Sequence, residues 1–599
     1  MAAAEYRKLI VIVWLVVAAA LAALWGPRAW HGLTWDTDDF MRLVQVRDLL
    51  AGQAWSDLRQ HRLNPPEGTL MHWSRLADAP IALVTLVLSP LLGAQNAITV
   101  AAMLLPPLYF LLFLTLFAFA ARLMLGAARS PIALLVAIGG SISIVQFVPG
   151  RVDHHGLQLT AMMAALVLLL IGLARARWRK AIAWAGVPFA LSVWIGAETL
   201  PLIAAWFGAL GLAWCYAGGN LARHGAIAGL LGAAIGVAIL LTSEPPASWL
   251  WPACDAFSVM PIGVLALIGI GFAGMAIFER WAHAFPMRAV IAGACGIVAA
   301  SGFAIAFPVC LHGGYALVDP VVELHWLSRV SEAMSLTQQF RAQPFGATAN
   351  VWTPLLGLAY CLWRVRSAQQ RGRILWGAIV VLLLTAFAMM AWQVRAVTFA
   401  QEFALVPVSG LIADILTYLR AKGWRWLRYA AAAVLLFVFS FVFWPSAEAA
   451  YRAITAPTAS ASDQSTAKSP QCVAIDTLAP LQARAPTLIL SYIDLGSMLL
   501  FNTPHSVLAG PYHRDNAGLK TTIELFRSHD DGAIERTMRD RGIGWIVTCP
   551  GTEDRTSFKT GTNDGLAERL AAGRVPDYLE EIDDPAWPDL RFYRLRAGE

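Results

Sequence analysis

A carboxylate and two imidazoles stand side by side at Asp153-His154-His155, inside the stretch Gly150-Arg151-Val152-Asp153-His154-His155-Gly156. Ionisable groups at a membrane boundary are costly, so such a cluster reads first as a site. Aspartate, histidine and a nearby glutamate form a mixed oxygen and nitrogen set suited to a divalent metal. The same residues also read as interfacial imidazoles, with Asp153 capping the helix that follows. Two more acidic stretches carry comparable chemistry: Trp35-Asp36-Thr37-Asp38-Asp39-Phe40 and Leu327-Ser328-Arg329-Val330-Ser331-Glu332. Arg395 lies near the end of a late apolar run. Each has a plain counterpart: a solvated loop start, a solvated helix face, and an arginine snorkelling to water. Glu198 reads as a helix cap before it reads as a pocket wall, and Arg151 as a second phosphate partner.

The elements that must position these residues are membrane helices. Of 599 residues, 58% are hydrophobic and 14% charged. A soluble chain carries roughly 25% charge. Mean hydropathy is +0.58. The formal charge of +6 would suit nucleic acid. The basic residues fall instead in short clusters between apolar runs, which is a topology signal and excludes a nucleic-acid partner. The sequence predicts about thirteen spans: 9–26, 98–121, 131–149, 157–174, 181–197, 199–217, 225–242, 261–278, 289–309, 346–363, 374–393, 397–419 and 429–444. The first reads as an uncleaved span with a cytoplasmic N-terminus. Alternate loops are then basic, as at Arg175, Arg177, Arg179 and Lys180, and at Arg364, Arg366, Arg371 and Arg373. This pattern requires the apolar run 79–93 to stay interfacial rather than cross. The opposite face receives long loops at 27–97 and 310–345, the Asp153 stretch and the C-terminal tail. Three acidic stretches thereby converge on one side.

Residues 1–444 form the transmembrane domain in this reading, 445–470 a linker, and 471–599 a soluble α/β domain. Strands are expected at 487–492, 506–509 and 545–548, with helices at 495–501, 518–527 and 531–541 between them. Cys472 and Cys549 read either as a disulfide or as two buried thiols.

Together these pieces resemble the catalytic subunit of oligosaccharyltransferase, of the archaeal and bacterial single-subunit type, within the GT-C class of membrane glycosyltransferases. Four features carry the resemblance. They are Asp38-Asp39-Phe40 followed by Val46-Arg47-Asp48-Leu49-Leu50, Gly-x-x-Asp-His-His at 150–155, Ser328-Arg329-Val330-Ser331-Glu332, and Arg395. The resemblance implies a metal set of Asp38, Asp153, His155 and Glu332 holding Mn or Mg. Asp38 and Glu332 are its catalytic residues, and Arg395 binds the donor phosphate. It implies a polyprenyl-(pyro)phosphate-linked sugar donor and a protein or glycan acceptor on the periplasmic face of a bacterial inner membrane. The family's Trp-Trp-Asp-Tyr-Gly acceptor motif has a divergent counterpart in Ser491-Tyr492-Ile493-Asp494-Leu495-Gly496, which nominates Tyr492 and Asp494 as acceptor contacts. Both tryptophans are missing, so an asparagine acceptor does not follow. The rival reading is a transporter or flippase of lipid-linked glycans. Transporters place ionisable groups near the bilayer midplane, whereas these crowd span ends.

Overall fold

The computed structural model describes residues 2–32, 36–139, 142–440, 442–455, 478, 481–549, 557–582 and 590–597. A bundle of apolar helices carries a smaller mixed unit at one end. Its helices are α1 (Ala3–Trp30), α2 (Thr37–Leu50), α3 (Arg75–Leu92), α4 (Ala94–Leu125), α5 (Ser130–Gly139), α6 (His155–Ala174), α7 (Gly186–Ile195), α8 (Leu200–Ala217), α9 (Leu221–Ser243), α10 (Val259–Phe278), α11 (Phe285–Ala306), α12 (Pro344–Ser367), α13 (Gln370–Trp392), α14 (Val397–Ala421), α15 (Arg425–Val438) and α16 (Phe443–Thr455).

Among the described residues, ten helices are long and apolar enough to cross a membrane, or eleven if the pair α15 and α16, bent by 79°, is one span. The sequence reading counts about thirteen, and the difference lies in the runs that follow. Within the run 131–149 the described elements are the ten-residue helix Ser130–Gly139 and the 3-10 turn Ile142–Phe147. The run 181–197 yields only the ten-residue α7, because Ala176–Ala185 winds as a 3-10 turn. The 24-residue α12 covers 346–363, but Asn350, Arg364 and Arg366 lower its hydropathy. Conversely, α3 passes the length test although the sequence reading kept it interfacial. Both of its ends meet α2 or the loop after it. At its start, Arg75 donates to the carbonyls of Trp55 and Gln45. Just past its end, Gln95 accepts from Arg47, which also donates to the Phe501 carbonyl of the C-terminal unit. The chain turns at Gly93 from α3 into α4. Small residues allow close helix contact: a methyl added at Gly229 of α9 would lie 2.7 Å from the Gly269 backbone of α10.

The C-terminal unit is built on a five-stranded sheet. In sequence order its strands are β1 (Leu488–Ser491), β2 (Ser506–Val507), β3 (Ile543–Thr548), β4 (Leu579–Ile582) and β5 (Arg591–Leu595). Their spatial order is β2-β1-β3-β5-β4, with β1 parallel to β2 and β3, and β5 antiparallel to β3 and β4. The expected strands and helices are present, and β4 and β5 were not foreseen. The expected linker is helical as far as Thr455. Residues 456–470 and Cys472 lie outside the described residues, so the pairing of Cys472 with Cys549 does too.

The first loop welds the unit to the bundle. Asn64 N–H donates to the Val507 carbonyl at 2.8 Å, and Val507 N–H to the Arg62 carbonyl at 2.9 Å. Arg62 adds bonds to the carbonyls of Leu500, Thr503 and His505. Phe40, Trp73 and Ile81 of this loop share one apolar core with Ile489, Phe526 and Ile546. The C-terminal unit therefore does not close its core alone.

Candidate functional site

The first acidic stretch starts α2. Asp36 is its N-cap, accepting from Asp38 N–H at 2.9 Å, while Asp39 accepts from Asp36 N–H at 3.1 Å. This reciprocal box satisfies two helix-end donors and leaves the Asp38 side chain facing inward. The glycines of the Asp-His-His stretch explain its local shape. Gly150 sits at φ +91°, and its N–H donates to the Ala102 carbonyl. A methyl on Gly156 would come within 2.9 Å of the Gln146 carbonyl. The turn so formed presses Asp153 against α2, where its N–H donates to Asp39 at 2.9 Å.

Arg151 organises the carboxylates here. Its guanidinium touches Asp36, lies 3.3 Å from Asp39 and 3.2 Å from Asp153, and bonds Gln146 through Nε. Burial pushes Asp39 up to about 7, with Arg151 opposing and Asp36 and Asp153 adding to the rise. Burial also raises the Asp38 carboxyl well above its usual range, helped by Asp36, Asp153 and Glu332. Asp153 goes the other way: burial is outweighed by His154, His155 and Arg151, which hold it well below the carboxylate range.

Beside this cluster is a second one. The Asp153 carboxylate lies 2.5 Å from His154 Nδ1 and 3.3 Å from His155 Nε2. The opposite nitrogens, His154 Nε2 and His155 Nδ1, each lie 3.4 Å from Glu198 Oε1. Glu198 arrives on the 3-10 turn Ala197–Thr199, where Gly196 breaks the path from α7 to α8. Its Oε2 is 3.7 Å from Arg395, which is also 3.5 Å from Glu332 and donates to the Tyr315 hydroxyl at 2.9 Å. Backbone bonds from Arg395 N–H to the Glu332 carbonyl and from Val394 N–H to the Met334 carbonyl tie that loop to the start of α14.

These groups surround a cavity of about 850 Å³ between the bundle end and the C-terminal unit. Asp38, His155, Glu332, Arg395 and Asp494 all line it. Asp153 lies behind the imidazoles. Tyr492 is a correction: it is 1% exposed and packs between Phe526 and Phe558 in the core of the C-terminal unit. Trp73 and Tyr512 form an aromatic wall instead, with ring centroids 5.3 Å apart and edge to face. Arg42 sits 4.5 Å behind the Trp73 ring, held there by a buried bond to Asp78. On a further wall, Asp255 takes a two-pronged bond from Arg514 and a contact from His513. The neighbouring Cys254 is joined to Cys310 in a disulfide.

Sequence reasoning weighed Glu198 as a cap, left His154 out of the metal set that the resemblance implies, and passed over Trp73 and Tyr512. A carboxylate next to a glycine break at a span end was the available signal for Glu198.

No protein-family model matches the chain, and no curated protein does. Solved structures do. The archaeal oligosaccharyltransferase AglB of Archaeoglobus fulgidus, in complex with an inhibitory peptide and a dolichol-phosphate, superposes with a TM-score of 0.68 at 14% identity, over 96% of this chain and 72% of that one. The same archaeal enzyme with Zn and sulfate gives 0.61 at 13% identity, over 95% and 71%. Tethered to an acceptor peptide containing the NVT sequon, it gives 0.63 at 13% identity, over 98% and 74%. The chain has the GT-C fold. On this GT-C scaffold the helix bundle makes a multi-pass membrane body, and the cavity opens where the body meets the C-terminal α/β unit.

Proposed function

We propose that the protein is an integral-membrane glycosyltransferase that moves a sugar or oligosaccharide from a polyprenyl-(pyro)phosphate donor to an acceptor on the periplasmic face of a bacterial inner membrane. One observation carries this reading: a cavity at one end of the membrane body is lined by Asp38, Glu198 and Glu332, by the imidazoles of His154 and His155, and by Arg395. In the step, an acceptor N–H or O–H attacks the anomeric carbon. The bond from that carbon to the phosphate oxygen breaks, the phosphate leaves on its lipid, and the acceptor proton passes to a carboxylate. Asp38, which lines the cavity, is the carboxylate that takes it. Arg395 faces the cavity with a planar fork suited to phosphate. Glu332, 3.5 Å away, positions the fork.

The residues fit a metal. His155 Nδ1 and Glu198 Oε1 are buried without a hydrogen bond, 3.4 Å apart. A divalent ion bound there would supply Lewis-acid stabilisation of the charge developing on the leaving phosphate. The lipid tail accounts for the membrane body, because it stays in the bilayer while the sugar enters the cavity. The Cys254–Cys310 disulfide beside the cavity favours an oxidising compartment on that side. The Trp73 and Tyr512 wall, with Asp494, replaces the missing tryptophans as the acceptor surface.

A photoactivatable polyprenyl phosphate tests the donor assignment. It is expected to label the wild-type chain on peptides lining the cavity, and Arg395→Ala is expected to lose most of that label. Labelling confined to lipid-facing helices, unchanged in Arg395→Ala, would remove the donor from this site.

A further inference from the structure

We infer that the side of the cavity between Arg395 and the Trp73 wall is a sugar subsite: the imidazoles of His72 and His513, with the Tyr315 ring, bind the sugar next to the donor phosphate and admit an uncharged pyranose. This assignment deepens the glycosyltransferase reading and rests on it for the donor.

Contacts run without a break along this side. Arg395 donates to the Tyr315 hydroxyl at 2.9 Å. The Tyr315 ring meets His513 edge to face, with centroids 5.0 Å apart. His513 lies 4.7 Å from His72, and His72 lies 5.4 Å from Trp73. All five residues line the cavity. A sugar joined to a phosphate at Arg395 has to bring its anomeric carbon towards an acceptor at Trp73, so its ring lies against this arc. The arc is held in place from behind. Asp255 lies 2.6 Å from His513 Nε2 and takes both prongs of Arg514. The Cys254–Cys310 disulfide ties the Asp255 loop to the segment that leads to Tyr315. That segment passes close: a methyl on Gly314 would come within 3.3 Å of Asp255 Cβ. Binding groups fixed in this way are pre-organised for a ligand.

His72 supplies the second observation. Its Nδ1 is buried without a hydrogen bond. Buried polar atoms are normally satisfied, so an exception in a cavity wall marks a place for a ligand atom. Burial, with His513, Arg514 and His154 adding and Asp255 opposing, holds the ring well below the usual imidazole range. A neutral imidazole offers one donor and one acceptor nitrogen, which a sugar hydroxyl can match in either sense. Charge then selects the sugar, because the charges beside the arc are already paired. Asp255 holds Arg514, and Arg42 behind Trp73 holds Asp78. Arg329 also lines the cavity, but it is exposed, on the loop that carries Glu332. A uronate carboxylate or an ammonium group on the arc would be buried without a partner, which is costly.

The test uses the full-length chain in lipid nanodiscs and reads binding rather than turnover. The probes are one short polyprenyl phosphate, bare or bearing glucose, galactose, N-acetylglucosamine, glucuronate or glucosamine. Each competes against a photoactivatable polyprenyl phosphate. At least one uncharged sugar is expected to tighten binding by about tenfold over the bare lipid, and the two charged sugars are not. His72→Phe and His513→Phe should each remove most of that increment and leave the bare lipid unchanged, which also reports that the variants fold. His72→Gln, which keeps a donor and an acceptor, should retain part of it. Asp255→Asn, a positioning change that acts through His513, should lose a smaller share. Arg395→Ala should weaken bare and sugar-bearing lipid alike. An increment that survives both His72→Phe and His513→Phe overturns the subsite. So does a charged sugar that binds as tightly as an uncharged one, or the absence of an increment from any sugar. Binding of the bare lipid that ignores Arg395→Ala would instead overturn the donor reading on which the subsite rests.

Discussion

Asp153 separates two clusters that solve opposite electrostatic problems. On the Arg151 side, one guanidinium serves Asp36, Asp39 and Asp153, so charge is balanced within the protein. On the histidine side, His155 Nδ1 and Glu198 Oε1 face each other with no hydrogen bond. Buried polar groups are normally satisfied, and an exception in a cavity wall marks a place for something else. The first cluster is built for position and the second for a ligand, though they share a carboxylate. The two should therefore respond differently to substitution.

The largest effect is expected at Arg151. Arg151→Leu leaves buried carboxylates without their shared cation, and the cost is about 3–5 kcal/mol. Thermal unfolding in nanodiscs should show this as a sharply lower melting temperature, or as failure to accumulate. A variant with wild-type melting would show that the guanidinium is not the organiser. Glu198→Gln should behave in the opposite sense: sugar transfer falls by about 100-fold while melting changes little. If melting collapses as well, the two clusters are one structural unit and the contrast is lost.

Arg395 sharpens the comparison from the donor side. Arg395→Ala should lower transfer by about 10- to 100-fold, the worth of a charged hydrogen bond in a buried site. Arg395→Lys should recover only part of this, because the planar fork is lost. A lysine variant equal to wild type would mean that charge alone is needed there.

The smallest effect concerns the wall made by Asp255. Burial works against this carboxylate, but Arg514 and His513 hold it well below the usual range. Stability linked to it is therefore present above the unfolded value near pH 4 and is lost as pH falls towards the folded value. Asp255→Asn should cost about 1–3 kcal/mol at pH 7 and flatten the acid limb of a stability profile. An unchanged acid limb would place the contact outside the folding unit.

The membrane body was legible because composition and the order of three acidic motifs are one-dimensional signals. Asp38, His155, Glu332 and Arg395 were nominated through that order, and all four line the cavity. The local winding was not legible, since the 3-10 turns at Ile142–Phe147 and Ala176–Ala185 fall in or beside runs that hydropathy alone makes continuous. Tyr492 failed for a related reason. Its neighbours Ile489, Leu490 and Ile493 are all buried, so no strand alternation reveals which way the ring faces. Trp73 and Tyr512 meet only through the weld between the first loop and β2, which carries no periodic signature. The Cys254–Cys310 pair spans 56 residues of loop and helix, a spacing that no rule anticipates.

Mass spectrometry of glycans and glycoproteins tests the central claim most directly, in cells lacking the gene and complemented with the wild type or with Asp38→Asn. Loss of one glycan or glycoprotein series in the deletion, its return with the wild type, and its continued absence with stably expressed Asp38→Asn is the predicted result. Full restoration by Asp38→Asn would contradict sugar transfer at this cavity.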